Sequence, residues 1–282
     1  MKAGRIRAAW AAACAWWPRA GRMRRRVVGL ALVAAFGALL VSLWHPVYRF
    51  SALLWLDAAR EPVLMPAVRA QPSALNAGGY DGQFYAQIAC DPTLRDPALV
   101  PAVDTLAYRA RRIGLPATAW ALARGDPERA VRVFPWLNIG CWIVLGGVLW
   151  PLLRAERGWI GVVAWAGVMF SGGMLASVRY ALTDLPALLL LVLAVRAAER
   201  RREGAMAGWF AASLLTRETI LAGAWSLLPV WPSRANGWLR RAAWLAAATM
   251  PLVLWLLYIR WRVGPLSSGL GSFAWPGTGF LG

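Results

Sequence analysis

One histidine and three cysteines are all the imidazole and thiol groups that 282 residues offer. His45 stands alone, so a zinc site or a Ser/His/Asp triad lacks the residues it needs. Cys14, Cys90 and Cys141 lie far apart, in a basic arm, a polar stretch and an apolar run. They form neither a CxxC spacing nor a disulfide framework. Charge is scarce as well: 16% of residues are charged and 59% hydrophobic, which points to a polytopic membrane protein. Acids are the scarcer sign, 13 against 31 basic residues, for a net charge of +18. The basic residues, almost all arginine, fall in short runs between apolar segments. That is the positive-inside pattern and not a nucleic-acid groove, so no nucleic-acid partner is expected.

Residues 1–26 form a basic arm without an acid. The run "VVGLALVAAFGALLVSLW" follows at 27–44, and as a helix it rises about 27 Å, close to a bilayer core. It is long for a signal peptide, and "HPVYRF" follows it instead of a small-residue cleavage site. A retained first span is expected, with the N-terminus cytoplasmic and the arm suited to anionic lipid. Residues 45–133 hold eight of the thirteen acids and are expected outside the cytoplasm. Their apolar patches "SALLWLDAA" and "LPATAWALA" are too short to span and fit helices along the interface.

Further apolar segments lie at about 134–153, 159–177, 182–197, 205–216, 218–231 and 242–259, separated by "RAERG", "RAAERRREG" and "PSRANGWLRR". With those basic loops in the cytoplasm the topology closes at about seven spans. The expected fold is an all-α polytopic transmembrane helix bundle with a long, partly helical first extracytoplasmic loop. Residues 134–259 form the rest of the bundle, and 260–282 an extracytoplasmic tail. Trp44, Trp136, Trp150, Trp159, Trp231 and Trp261 fall near span ends, as in an aromatic belt. The stretch 205–231 reads as one long helix or as two short ones broken at "LTRET". A single helix would put "PSRANGWLRR" outside, against the charge rule, so the broken pair is expected. Such breaks are tolerated where they line a cavity.

The polar stretch "GGYDGQFYAQIACDP", 78–92, interrupts this apolar text. Gly78 and Gly79 allow a turn, and Asp81 reads as the N-cap of a short helix ended by Asp91-Pro92. Tyr85 and Ile88 would then share a face with Asp81, and Gln83, Gln87 and Cys90 another. Asp81 reads equally as a cap or as a working carboxylate, Asp91 more readily as a turn former. On the same outer side fall Arg179 and Asp184 in "SVRYALTD", Arg217 and Glu218 in the break, and Arg260 and Arg262. A charge near the bilayer centre costs about 2.5–3.5 kcal/mol, so such residues need partners or a cavity. Local pairing, Arg179 with Asp184 and Arg217 with Glu218, is the plain reading. Adjacent side chains on a helix point to different faces, however, which favours partners elsewhere, including a phosphate. "YRARRIGLP", 108–116, adds Tyr108, Arg109, Arg111 and Arg112, which also reads as a snorkelling interfacial cluster.

"GYDGQFYAQIACDP", "YRARRIGLP", "ALTDLPALLL" and "LLTRET", in that order, resemble bacterial integral-membrane glycosyltransferases of the GT-C type, and more narrowly a group associated with forming cell-surface glycopolymers. The resemblance covers roughly residues 50–260. It implies transfer of a sugar from a polyprenyl-phosphate donor to a cell-envelope glycan or lipid-linked acceptor at the outer face of a bacterial inner membrane. It implies an acid in the first outer loop as base, Asp81 first and Asp91 second. Arg179, Arg217, Arg111 and Arg112 become donor-phosphate candidates, and Gln83, Tyr85, Tyr108, Asp184 and Glu218 pocket candidates. Some members use a divalent metal, which these acids leave open. Many members are longer, so a short member, a fragment or a chain needing a partner subunit are all expected alternatives. The rival functions are a transporter or flippase of a lipid-linked sugar, which needs midplane charges and an internal repeat, and a non-catalytic membrane scaffold.

Overall fold

The computed structural model describes residues 22–154, 158–228 and 235–264. Most of the basic arm with Cys14, and the tail beyond 264, lie outside the described residues, as does Trp231. The described chain is mostly helical, with one two-residue parallel pairing of β1 (Leu56–Asp57) and β2 (Leu75–Asn76). The first apolar run is helix α1, Arg22–Leu43. Phe36 of α1 stacks on Trp142 at 4.0 Å, tying this helix to the bundle.

Short elements fill the next region: α2 (Pro66–Arg69), α3 (Asp81–Cys90), α4 (Leu99–Ala102), α5 (Leu106–Arg109) and α6 (Gly114–Leu122), with 3-10 turns at Phe50–Leu54, Ala58–Val63 and Ala110–Arg112. The loop is therefore partly helical. Its apolar patches turn inward more than expected: Leu53, Leu54, Leu115 and Ala119 are buried in the main core, while Trp120 and Leu122 stay exposed. These short elements end before Asp126. Pro127 suits the first turn of α7 (Pro127–Arg154), and the Asp126 carboxylate accepts from Arg129 N at 3.1 Å.

The remaining helices are α8 (Gly158–Met169), α9 (Gly172–Arg179), α10 (Asp184–Glu199), α11 (Glu203–Thr216) and α12 (Ala235–Arg262). The run expected as one helix at 159–177 breaks between α8 and α9. Ser171 accepts from Met174 N to start α9, and Trp142 Nε1 donates to the freed Met169 carbonyl at 3.1 Å. The expected break at "LTRET" is present: Arg217 is extended, and a 3-10 segment, Glu218–Leu227, follows.

Three stretches are long and apolar enough to cross a membrane: Pro127–Leu152, Ile160–Arg179 and Leu239–Arg262. The segments α10 and α11 rise about 24 and 21 Å, and the ten-residue 3-10 segment about 20 Å. Each falls short of a core of about 30 Å. They nevertheless run back and forth between two common ends. At one end the Arg241 guanidinium pairs with Glu203 at 3.0 Å and donates to the carbonyls of Ala198 and Leu227. At the other end Arg217 meets Asp184 at 2.6 Å. The far end of α12 reaches the polar loop: Trp255 Nε1 donates to the Ala110 carbonyl at 2.8 Å, the Tyr258 hydroxyl to that of Thr93 at 2.6 Å, and Arg262 to that of Arg95 at 3.2 Å. Trp44, Trp136 and Trp261 are exposed.

Candidate active site

Helix α3 organises the site. Gly78 takes φ +93°, which favours glycine, and Tyr80 is extended, with its N–H on the Trp55 carbonyl at 3.2 Å. Asp81 is the first helical residue and not the N-cap; Tyr80 holds that position without a side-chain cap. An acid there still complements the helix dipole. Its carboxylate, however, reaches across the fold: Oδ2 lies 2.6 Å from Arg109. The next residue must be small, because a Cβ on Gly82 would stand 2.1 Å from the Tyr180 carbonyl oxygen. Gly82→Ala is expected to destabilise the fold by about 1–3 kcal/mol through overpacking. An unchanged thermal midpoint in detergent would refute that close approach.

The two expected faces of α3 do different work. Gln83 and Gln87, one turn apart, accept from Asp57 N at 3.0 Å and Met65 N at 2.8 Å. Both are buried, and they rivet the loop main chain to α3. Gln83, expected in the pocket, is thus structural in its contacts. Asp81 and Tyr85, on the other face, meet Arg109 and Arg112, which are three residues apart. The Tyr85 hydroxyl accepts from Arg112 at 2.5 Å. Arg112 also donates to the Tyr108 hydroxyl at 3.0 Å and pairs with Glu218 at 3.2 Å. Burial raises the Tyr85 pKa and outweighs the opposing pull of Arg112, so the phenol stays neutral. Burial works against the Arg112 cation, but the charge of Glu218 and the hydrogen bonds to Glu218 and the Tyr85 hydroxyl hold its pKa up.

Arg109 grips two acids. It donates from Nε and Nη2 to Asp104 at 3.0 and 2.8 Å and faces Asp81 through Nη1. Its guanidinium also lies over the Phe84 ring at 4.9 Å. The Arg109 side chain is 12% exposed and that of Asp81 39%, so a largely covered cation presents an accessible carboxylate. For Asp104, burial alone would raise the pKa, yet the hydrogen bond and charge of Arg109 hold it below the usual value. That stability is complete above the unfolded carboxylate pKa of about 3.9 and is lost as pH falls through the lower folded value. The thermal midpoint of the wild type should therefore drop more on acidification than that of Asp104→Asn; parallel curves would refute the pairing.

The remaining candidates sort cleanly. Asp91 is occupied by its own turn: its oxygens accept from the N–H groups of Thr93, Arg95 and Asp96 and from the Thr93 hydroxyl. Burial would raise its pKa, but these bonds together hold it low. The local pairs give way to a crossed arrangement. Asp184 pairs with Arg217 and not with Arg179, and Glu218 pairs with Arg112 and not with Arg217. Arg179 lies over the Trp55 ring at 4.4 Å, and Arg111 over Tyr108 at 5.5 Å. Tyr180 stacks on Tyr80 at 4.3 Å, joining the Arg179 turn to the start of α3. Gly114 brings α6 against the break, since a Cβ there would lie 2.3 Å from Thr216 Oγ1.

Arg109 and Asp104 are the site members that sequence reasoning left without a role. Arg109 was visible in "YRARRIGLP", but three arginines in four residues do not reveal which one faces Asp81. His45 organises a turn, its Nδ1 accepting from Val47 N and Tyr48 N at 3.2 Å. Cys90 is buried, and burial pushes its thiol up to about 12. Among the described residues no group of three or more His, Cys, Asp or Glu side chains converges. Asp91 is spent on N–H groups and Asp81 faces a guanidinium, so as a donor set they do not fit a divalent cation. Compared with known proteins, the chain matches no family model, no curated protein and no solved structure.

Proposed function

We propose that this chain is a glycosyltransferase of a bacterial inner membrane, crossing it about seven times with the polar loop on the outer side. It moves a sugar from a polyprenyl-phosphate donor to a glycan or lipid-linked acceptor. The observation that carries the reading is the accessible Asp81 carboxylate, oriented by Arg109, which Asp104 holds in place, among further arginines at one end of an apolar helix bundle. In the reaction the acceptor hydroxyl oxygen attacks the anomeric carbon and gives its proton to Asp81. The bond from that carbon to the phosphate oxygen breaks, and arginine stabilises the charge left on the lipid phosphate. Short α10, α11 and the 3-10 segment fit within the bundle, where local thinning of the bilayer accommodates them.

The order of "GYDGQFYAQIACDP", "YRARRIGLP", "ALTDLPALLL" and "LLTRET" supports this reading, since the first two motifs meet as Asp81–Arg109 and the last two as Asp184–Arg217. A transporter would place charges near the midplane, whereas the ion pairs of the bundle described above gather at its two ends. The test is expression of the wild type and Asp81→Asn at matched levels in a strain lacking the native gene, followed by surface-glycan profiling. Restoration of a missing sugar by wild type alone supports the transferase. Equal restoration by both would remove Asp81 from the chemistry.

A further inference from the structure

The two ends of the bundle treat charge differently. At the polar-loop end Arg109, Arg112 and Arg217 each hold a carboxylate. At the opposite end Arg200, Arg201 and Arg202 stand exposed in the turn between α10 and α11, and Arg240 stands exposed on α12. Among the described residues no carboxylate pairs with any of these four. Glu203 is taken by Arg241. Arg241 also holds α12 against this turn through the Ala198 carbonyl at 3.4 Å, so its neighbour Arg240 belongs to the same patch.

The turn closes with the N–H groups of Arg201 and Arg202 on the carbonyls of Ala198 and Ala197 at 3.0 and 2.9 Å. Arg201 takes φ +55° there, a left-handed backbone that glycine adopts with less strain. The dipole of α10 favours cations in its own last turn, but it has no claim on Arg240, which another helix carries. Beside Arg240, Leu239 and Trp244 are also exposed, so the unpaired cations border an apolar helix surface.

We infer that Arg200, Arg201, Arg202 and Arg240 form a contact site for the headgroup of an anionic phospholipid, and that the bound lipid ties the α10–α11 turn to α12. Cations above an apolar flank match an anionic headgroup above its acyl chains. A nucleic acid or a soluble acidic protein would engage the cations and leave that flank unused. Helices α10 and α11 are short for a bilayer core, and a headgroup bridging to α12 adds a second fastening to that of Arg241. The contact does not rest on the transferase reading; only the assignment of this end to the cytoplasmic leaflet does.

The experiment adds dioleoyl phosphatidylglycerol to the purified full chain in neutral detergent, counts bound lipid by native mass spectrometry and follows the thermal midpoint. Dioleoyl phosphatidylcholine and inorganic phosphate are the comparison probes. Phosphatidylglycerol is expected to raise the wild-type midpoint. Arg200→Gln, Arg202→Gln and Arg240→Gln combined are expected to weaken its binding on the order of a hundredfold, from about fivefold per arginine. If that variant misfolds, Arg240→Gln alone is read against the same probes. Arg201→Gly separates the lipid from the fold: relief of the left-handed backbone is expected to raise the midpoint without lipid, while the gain on adding phosphatidylglycerol shrinks. The inference is overturned if the glutamine variant binds phosphatidylglycerol like wild type, if Arg201→Gly keeps the full lipid gain, or if phosphatidylcholine or inorganic phosphate stabilises as well. Asp81→Asn is expected to keep the full gain whether or not it transfers sugar, so this site and the transferase reading fail separately.

Discussion

On the proposed transferase reading, Asp81→Asn is expected to slow sugar transfer by about 10²–10⁴-fold, the usual worth of a positioned general base, with little change in folding. Asparagine keeps the size of aspartate and an oxygen for Arg109, but it cannot take a proton from the acceptor hydroxyl. The pair it weakens is partly exposed, and such pairs contribute only about 0–1 kcal/mol. Arg109 also keeps its two bonds to Asp104. Activity and stability should therefore separate: turnover collapses while the thermal midpoint in detergent stays near wild type. A folded variant that transfers within threefold of wild type would rule out the base.

Arg112→Met should behave in the opposite way and act on the fold first. Arg112 is 5% exposed and serves Tyr85, Tyr108 and Glu218 together. Removing one partner of a fully buried ion pair costs about 3–5 kcal/mol, because the other charge is left without compensation. Glu218 is half-buried, so the loss here is expected to be smaller, about 2–3 kcal/mol. Here it also frees the start of the 3-10 segment at Glu218. Lysine should rescue poorly, since a single ammonium cannot reproduce a planar fork with three acceptors. Arg112→Met combined with Glu218→Gln should recover part of the loss by removing the uncompensated acid. Thermal unfolding of the single and double variants reads this directly. If the losses simply add, the pair is not coupled.

Much of this arrangement is legible in the chain. Apolar run lengths mark α1, α7 and α12, and the "LTRET" interruption marks the break before Glu218. The adjacency argument correctly sent Arg217 and Glu218 to distant partners. What it could not supply was their identity, since Asp184 and Arg112 are chosen by how α10 and the polar loop pack. Asp81 fits the helix-start pattern, so in sequence a cap and a working carboxylate read equally. Its true partner lies 28 positions along and depends on tertiary structure. The interruption at Phe170–Ser171 was marked only by Ser171-Gly172-Gly173, a short turn-like run inside an otherwise apolar stretch. Only Trp142, on another helix, supplies the donor for the carbonyl left open there.

The contacts of α12 bear on the order in which the molecule is assembled. Its Arg241 gathers the ends of α10, α11 and the 3-10 segment, and its Trp255, Tyr258 and Arg262 fasten the polar loop. On the ribosome, residues 184–227 and the Asp81 loop emerge well before any of these anchors. Until α12 inserts, Glu203 has no cation from Arg241 and the loop lacks its three carbonyl-directed bonds. A nascent chain stalled before residue 235 should consequently be open to protease at both ends of the bundle, and synthesis through residue 262 should close both together.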